Sequence, residues 1–514
     1  MTHRVVELPE LIDLRLPRIR LLHWTWLAFF IAFFTWFNMA PLATTMLKNV
    51  DWLTKDHLKM LAICNVAMTI PARIIIGALI DRFGPRITFS GLLITMTVPT
   101  FIFAFGDSWT VLLLSRLVLS SIGASFVIGI RIVAEWFPPK DTGKAEGFYA
   151  GWGNFGSAGA AMVLPWFALT AFGGENGWRY ATALSGAFCL GYGILYFFVV
   201  RDTPHGKDFI GAKKTQPMEV STWSDLVQLI VWSFPLVAAL GVLAWRMNGL
   251  GFLSDNLLYL TYGLLAVVYI AHCRKMLQVN VPMLRLGVPE EDRYRFTDVA
   301  ALNTTYVANF GAELAVVSML PAFFESTFSL SPTVAGLIAS SFAFVNLFAR
   351  PFGGWISDKM HSRKRIMLMY MFGIALGFLG MGFINSSWPL WIAVAVTVGC
   401  SMFVQGAEGA TFAIVPLIKK RMTGQVAGMA GAYGNVGAVL YTILYSFAWV
   451  TPERFFFILA AGAFVSFVVC LFFLTEPKDA FAEDYALTAE DIKHVVTDRH
   501  PHLPHVHFPH RGEE

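Results

Sequence analysis

The residues best suited to chemistry are two arginines set in apolar stretches. Arg73 opens the pattern Arg73-x3-Gly77-x3-Asp81-Arg82, and Arg350 opens Arg350-x3-Gly354-x3-Asp358-Lys359, at an offset of 277 residues. A guanidinium is planar, permanently charged and forked, so it grips two oxygens of a flat oxyanion in a way that a lysine ammonium cannot. Each arginine stands eight residues from the acid that marks its helix end, about 12 Å along a helix axis. Two such charges at matched depth repel, and a small anion between them would relieve the repulsion. A lone buried arginine could equally be paired with an acidic neighbour; the duplication argues for a shared ligand.

A second pair of segments repeats more closely. The run "TGKAEGFYAGWGNFG" (142–156) aligns with "TGQVAGMAGAYGNVG" (423–437) at an offset of 281 residues, matching Gly147 with Gly428, Gly153 with Gly434 and Asn154 with Asn435. Helix rise brings Asn154 and Asn435 to about the level of the arginines. Gly143, Gly147 and Gly151 recur four apart, and Gly428, Gly431, Gly434 and Gly437 three apart, so each set lines one helix face. Small faces let helices approach closely and slide; direct backbone contact with an anion is the alternative use. Two acids lie inside apolar stretches, Glu313 and Glu408, the second at the arginines' depth. Either could carry a coupling proton, the alternative for Glu408 being a static ion pair with Arg350 or Arg73.

These residues need a membrane-embedded scaffold. The 514 residues are 56% hydrophobic and 14% charged, too apolar for a soluble chain of this length. Stretches long enough to cross a bilayer recur from Leu22 to Leu474, fourteen in all. The expected fold is therefore an all-α polytopic membrane protein. Repeats at such distances mean two homologous halves, each of six helices, at 22–200 and 299–474. A connection, 201–298, holds an inserted hairpin at 225–272, with interfacial helices as the alternative. Residues 1–21 form a retained N-terminal arm. Most of the 38 Lys and Arg fall on alternate connections, which puts both ends in the cytoplasm of an inner-membrane protein.

The net charge of +4 is thus topological and points to no nucleic acid. Five unpaired cysteines suggest neither disulfide nor metal site. No His pair, nucleophile triad or cofactor motif marks an enzyme, and no cofactor is expected. The tail 475–514 holds His494, His500, His502, His505, His507 and His510 among prolines, a composition that cannot build a core.

The segment "GALIDRFGPR" (77–86), with a weaker copy "GWISDKMHSRKR" (354–365), resembles the loop signature of the major facilitator superfamily. The glycine-rich runs with Asn154 and Asn435 resemble the paired signatures of its nitrate/nitrite porter family. The resemblance implies two six-helix halves and a monomer carrying nitrate or nitrite, with protons or a counter-anion providing the drive. It puts aromatic rings above and below the ion, at Phe126 and Phe310, with Tyr306 as a hydrogen-bond donor. It also implies that Asp81, Arg82 and Arg86 latch the halves, against Glu135 or Arg131; ordinary positive-inside charge is the other reading. Arg116 is similar to a further superfamily motif. The central hairpin departs from the usual twelve-helix pattern. A carrier of another small organic anion and a membrane nitrate sensor without flux are the rival functions.

Overall fold

The computed structural model describes residues 11, 13–204, 217–330, 332–360, 362–447 and 449–477. The histidines of the tail and the first ten residues of the N-terminal arm lie outside the described residues. All regular structure among the described residues is helical. Twelve helical stretches in them are long and apolar enough to cross a membrane.

The helices that matter for the site run as follows. α1 is Pro17–Trp36, α2 is Thr69–Phe83 and α3 is Pro85–Phe105. A short 3-10 turn, Ser120–Ala124, leads into α4, Ser125–Trp136; α5 is Pro139–Asn154 and α6 is Gly177–Val199. The central hairpin is α7, Trp223–Gly249, and α8, Asp255–Leu286, both long and apolar enough to span. α9, Phe296–Tyr306, continues through a π turn, Val307–Gly311, and α10 is Asn346–Lys359. The last four are α11, Arg363–Gly382, α12, Leu390–Ile418, α13, Thr423–Tyr445, and α14, Pro452–Phe473.

Local sequence explains where these helices start and stop. Proline occupies the first turn of α1, α3, α5 and α14, where its missing N–H is no loss. Thr222 and Thr451 accept a backbone N–H at the starts of α7 and α14. Gly84 joins α2 to α3 with φ of 85°, a conformation that L side chains avoid, and a Cβ there would stand 2.8 Å from Asp202 Oδ1.

Two crossings between the first and second repeats dominate the interior: α5 packs on α10, and α13 packs on α2. Both are antiparallel, and glycine makes both possible. A Cβ at Gly147 would lie 2.5 Å from the Arg350 carbonyl oxygen, and one at Gly151 would lie 2.5 Å from that of Asn346. The other crossing mirrors this, with Gly428 set against the Arg73 carbonyl and Gly424 against that of Gly77. Gly143, Gly147 and Gly151 are thus the surface on which the Arg350 helix lies; of the second set, Gly428 and Gly431 face the Arg73 helix, whereas Gly434 and Gly437 pack on Tyr306, Phe310 and Val307.

The hairpin is tied to the second repeat. The Tyr433 hydroxyl donates to the Trp232 carbonyl, Arg246 Nη2 donates to the Ser446 carbonyl at 3.2 Å, and Asp225 accepts the Phe296 N–H at 3.2 Å. α8 rests on α7 and turns Tyr259, Leu260, Leu264 and Ile270 outward.

Replacing Gly147 by valine should force α5 from α10, at a cost of about 1–3 kcal/mol. The thermal midpoint in detergent should fall, whereas Gly399→Ala, where a Cβ meets open space, should leave it unchanged.

Candidate functional site

Side chains on a helix lean toward its N-terminus. Arg73 and Arg350 therefore both reach away from the Asp81 and Asp358 ends of their helices, into the bundle. Both are fully buried. Arg73 donates from Nε to the Gly123 carbonyl at 3.2 Å and from Nη1 to the Gly431 carbonyl, while its Nη2 is buried without a hydrogen-bond partner. Arg350 donates from Nη2 to the Tyr306 hydroxyl at 3.0 Å, and its Nη1 stands 2.6 Å from Glu408 Oε2.

One ring joins the two charges. The guanidinium carbons of Arg73 and Arg350 each lie 5.3 Å from the centroid of Phe126, within cation–π range. Arg73 also lies 5.1 Å from the Phe310 ring. Tyr306 is nearly parallel to both rings, at 12° and 6.1 Å from Phe126 and at 9° and 5.1 Å from Phe310. The π turn Val307–Gly311 carries Phe310, a local widening often found at functional sites. A fourth ring closes the group edge-on: Phe412 meets Phe126 at 4.5 Å and Tyr306 at 4.8 Å. Sequence reasoning passed over Phe412; its only signal was a place one turn beyond Glu408.

The asparagines behave differently from each other. Asn435 Nδ2 donates to the Gly431 carbonyl at 3.2 Å, the same oxygen that Arg73 holds, and its Oδ1 is buried without a partner. The backbone offsets are the same in the two repeats: the Arg350 carbonyl lies against Gly147, seven residues before Asn154, and the Arg73 carbonyl against Gly428, seven before Asn435. The Asn154 Oδ1 is buried and unpartnered.

The two acids are both buried, and they differ in partners. Glu408 forms the ion pair with Arg350 that was the alternative reading of its role. Glu313 Oε1 accepts from Asn346 Nδ2 at 2.9 Å and Gln405 Nε2 at 3.4 Å, and its Oε2 has no hydrogen-bond partner. Asn346 and Gln405 had no distinguishing sequence signal.

At the helix ends the repeated acids do the same job twice. Asp81 Oδ2 accepts the N–H of Gln425, in the first turn of α13, at 3.1 Å. Asp358 Oδ2 accepts the N–H of Lys144, in the second turn of α5, at 2.8 Å. Each carboxylate thus meets the N-terminal, positive part of a helix from the opposite repeat. Arg131 reinforces the first contact, 3.5 Å from Asp81, 2.8 Å from Glu135 and donating to the Lys420 carbonyl at 3.0 Å. Arg363 reinforces the second, 2.8 Å from Asp358. Arg86 bonds elsewhere: its N–H donates to Asp202, at the start of the central connection, at 2.6 Å, and its side chain stands 3.9 Å away. Burial pushes the Asp202 carboxyl above its ordinary range, opposed by the Arg86 N–H and guanidinium. Arg82 stacks on Phe83 at 4.8 Å. Arg116 ties down the C-terminal end of α1 and the residues that follow it, donating to Asn38 at 2.8 Å and to the Trp36 carbonyl at 2.6 Å.

Comparison with known proteins agrees with this architecture. The Major Facilitator Superfamily model matches residues 25–273 and 302–501. The chain is 46% identical over 505 residues to the nitrate/nitrite transporter NrtP of Picosynechococcus sp., covering 91% of this chain and 94% of that protein. It is likewise 46% identical to NrtP of Nostoc punctiforme, with the same shares covered. The crystal structure of the human organic anion transporter MFSD10 superposes with a TM-score of 0.60 at 13% identity, over 88% of this chain and 100% of that one, a likeness of fold. The family model and these relatives, named as transporters, make the chain a multi-pass membrane transporter and not an enzyme. The chain belongs to the major facilitator superfamily and, within it, to the nitrate/nitrite porter family.

Arg350→Ala should leave Glu408 buried and uncompensated, costing about 3–5 kcal/mol. The double variant with Glu408→Ala should recover much of the lost thermal midpoint in detergent, and a cycle without that recovery would mean the pair is not coupled.

Proposed function

We propose that this protein is a secondary active transporter that moves nitrate, nitrite or both across the inner membrane by alternating access. The observation that carries the reading is the pair of buried arginines, contributed by equivalent positions of the two repeats and sharing the Phe126 face. Sequence identity to the two NrtP proteins supports the choice of ion. A flat anion with delocalised charge suits both the forked guanidinium and the neighbouring ring faces. The anion takes up the unpartnered Nη2 of Arg73 and the Asn435 and Asn154 amides, with Phe126, Phe310 and Tyr306 as walls.

The helix-end contacts of Asp81 and Asp358 form the cytoplasmic gate. Residues 22–200 and 299–474 rock about the site, with the hairpin carried by the second half. α9 and α10 with their flanking helical segments complete fourteen crossings, and both termini are cytoplasmic. The stripes containing Gly77, Gly147, Gly151, Gly354, Gly428 and Gly434 are the sliding surfaces, since close backbone contact without interlocking side chains permits small displacements.

Uptake of an anion against an interior-negative potential costs about 2.3 kcal/mol per 100 mV, so coupling is required. An arriving anion competes with Glu408 for Arg350. A carboxylate released in this way takes a proton, with Glu313 as the second carrier. Exchange of nitrate for nitrite is the electroneutral alternative.

The deciding experiment is transport in proteoliposomes under separately imposed pH and voltage gradients. Labelled nitrate should undergo counterflow; a sensor without flux would show none. Arg73→Lys and Arg350→Lys should each reduce counterflow by about tenfold or more, because an ammonium cannot form the paired bonds. Normal transport by either lysine variant would defeat the bidentate clamp.

Glu313→Gln and Glu408→Gln should lose accumulation driven by a pH gradient while retaining exchange. If both variants kept pH-driven uptake, neither acid would be the proton carrier; if the parent showed no pH-driven accumulation, symport would be abandoned and exchange would stand.

A further inference from the structure

Phe126 is the ring on which both arginines rest, and its pose is set by a residue with no role in the site as described so far. Tyr149, on α5, is fully buried. Its ring packs against Phe29, at 5.0 Å and 25°, and Phe126, at 6.3 Å and 21°, and those two rings meet each other at 5.5 Å, so the three form a closed triangle. Its hydroxyl lies 3.2 Å from the Ser125 carbonyl oxygen and 3.1 Å from that of Phe126 itself. The tyrosine therefore holds both the ring and the backbone of Phe126.

The segment it grips is held from the other side too. The 3-10 turn Ser120–Ala124 interrupts the helix just before Phe126, and Arg73 and Thr69 use the carbonyls so presented, those of Gly123 and Ser120. Tyr149 extends this fixation into the first turn of α4. Gly129, one turn after Ser125, makes room for it, since a Cβ at Gly129 would overlap the Tyr149 ring.

Tyr149 has no aromatic counterpart in the second repeat: at the 281-residue offset of the glycine-rich runs it corresponds to Ala430. Tyr149 also lies between Gly147 and Gly151, whose faces rest on the Arg350 helix, so one turn of α5 touches both that helix and the shared ring.

We infer that Tyr149 is a positioning residue for the anion site, fixing Phe126 at the distance both arginines require. The inference rests on the proposed role of Phe126 in binding. Tyr149→Phe keeps the ring and removes only the hydroxyl. In proteoliposomes it should raise the KM for nitrate about fivefold, with the maximal rate within about twofold and the thermal midpoint within about 2 °C of the parent. Gly129→Ala, which displaces the ring, should raise KM further in the same direction. Unchanged KM in both variants would overturn the inference, as would a fall in maximal rate and midpoint at constant KM, which is the mark of a merely structural residue. If the parent protein itself showed no saturable nitrate uptake, the transport reading and this inference would fall together; saturation in the parent with unaffected variants removes the inference alone.

Discussion

The constraint on which the rest depends is the burial of two guanidinium groups beside one aromatic ring. An ionised group taken from water into a low-dielectric interior costs several kcal/mol unless its charge and its donors are met. Arg350 meets this cost with a carboxylate, Glu408, and a hydroxyl, Tyr306. Arg73 meets it differently, with two backbone carbonyls, two ring faces and one donor left over. The pair is therefore unequal. One arginine is neutralised within the protein, and the other still has positive charge to offer a ligand.

Much of the surrounding structure can be read as a consequence. Carbonyl acceptors reach Arg73 only because the helix ladder is broken at Ser120–Ala124 and because Gly431 brings the α13 backbone close; a Cβ at Gly431 would stand 3.1 Å from Arg73 Nη1. Arg350 reaches α9 and α12 from a helix whose backbone lies directly on the glycines of α5. At the far end of the same helices, Asp81 and Asp358 accept N–H groups from the opposite repeat. The charged site and the helix-end contacts are thus opposite ends of the same two rods, α2 and α10, so a movement that breaks one end displaces the other.

The repeat is near-symmetric in its framework and asymmetric in its chemistry. Both acids accept an N–H near the start of a helix from the opposite repeat, and both arginines lie on glycine faces. Yet the proposed platform has Phe126 and Tyr149 from the first repeat, and Tyr306, Phe310 and Phe412 from the second. Both buried acids beside it, Glu313 and Glu408, come from the second repeat as well. A binding site with matched arginines can in this way have a neutralised side and a receptive side.

By itself the sequence determined what depends on local periodicity: apolar runs of spanning length, the motif that repeats Arg73 as Arg350, the glycine faces, and the acids that end the helices. Those features follow from bilayer thickness, helix rise and short spacings, all of which can be counted along one dimension. Phe126, Phe310 and Tyr306 were reachable only through family resemblance, because 46 phenylalanines offer no way to choose among them. Only the tertiary structure decided that Glu408 pairs with Arg350 rather than Arg73, that Asn435 shares a carbonyl with Arg73, and that Arg86 bonds Asp202. It alone brought Phe412, Gln405 and Tyr149 into the group. Such pairings depend on the docking offset of neighbouring helices and the direction of each side chain, and neither leaves a mark on residue order.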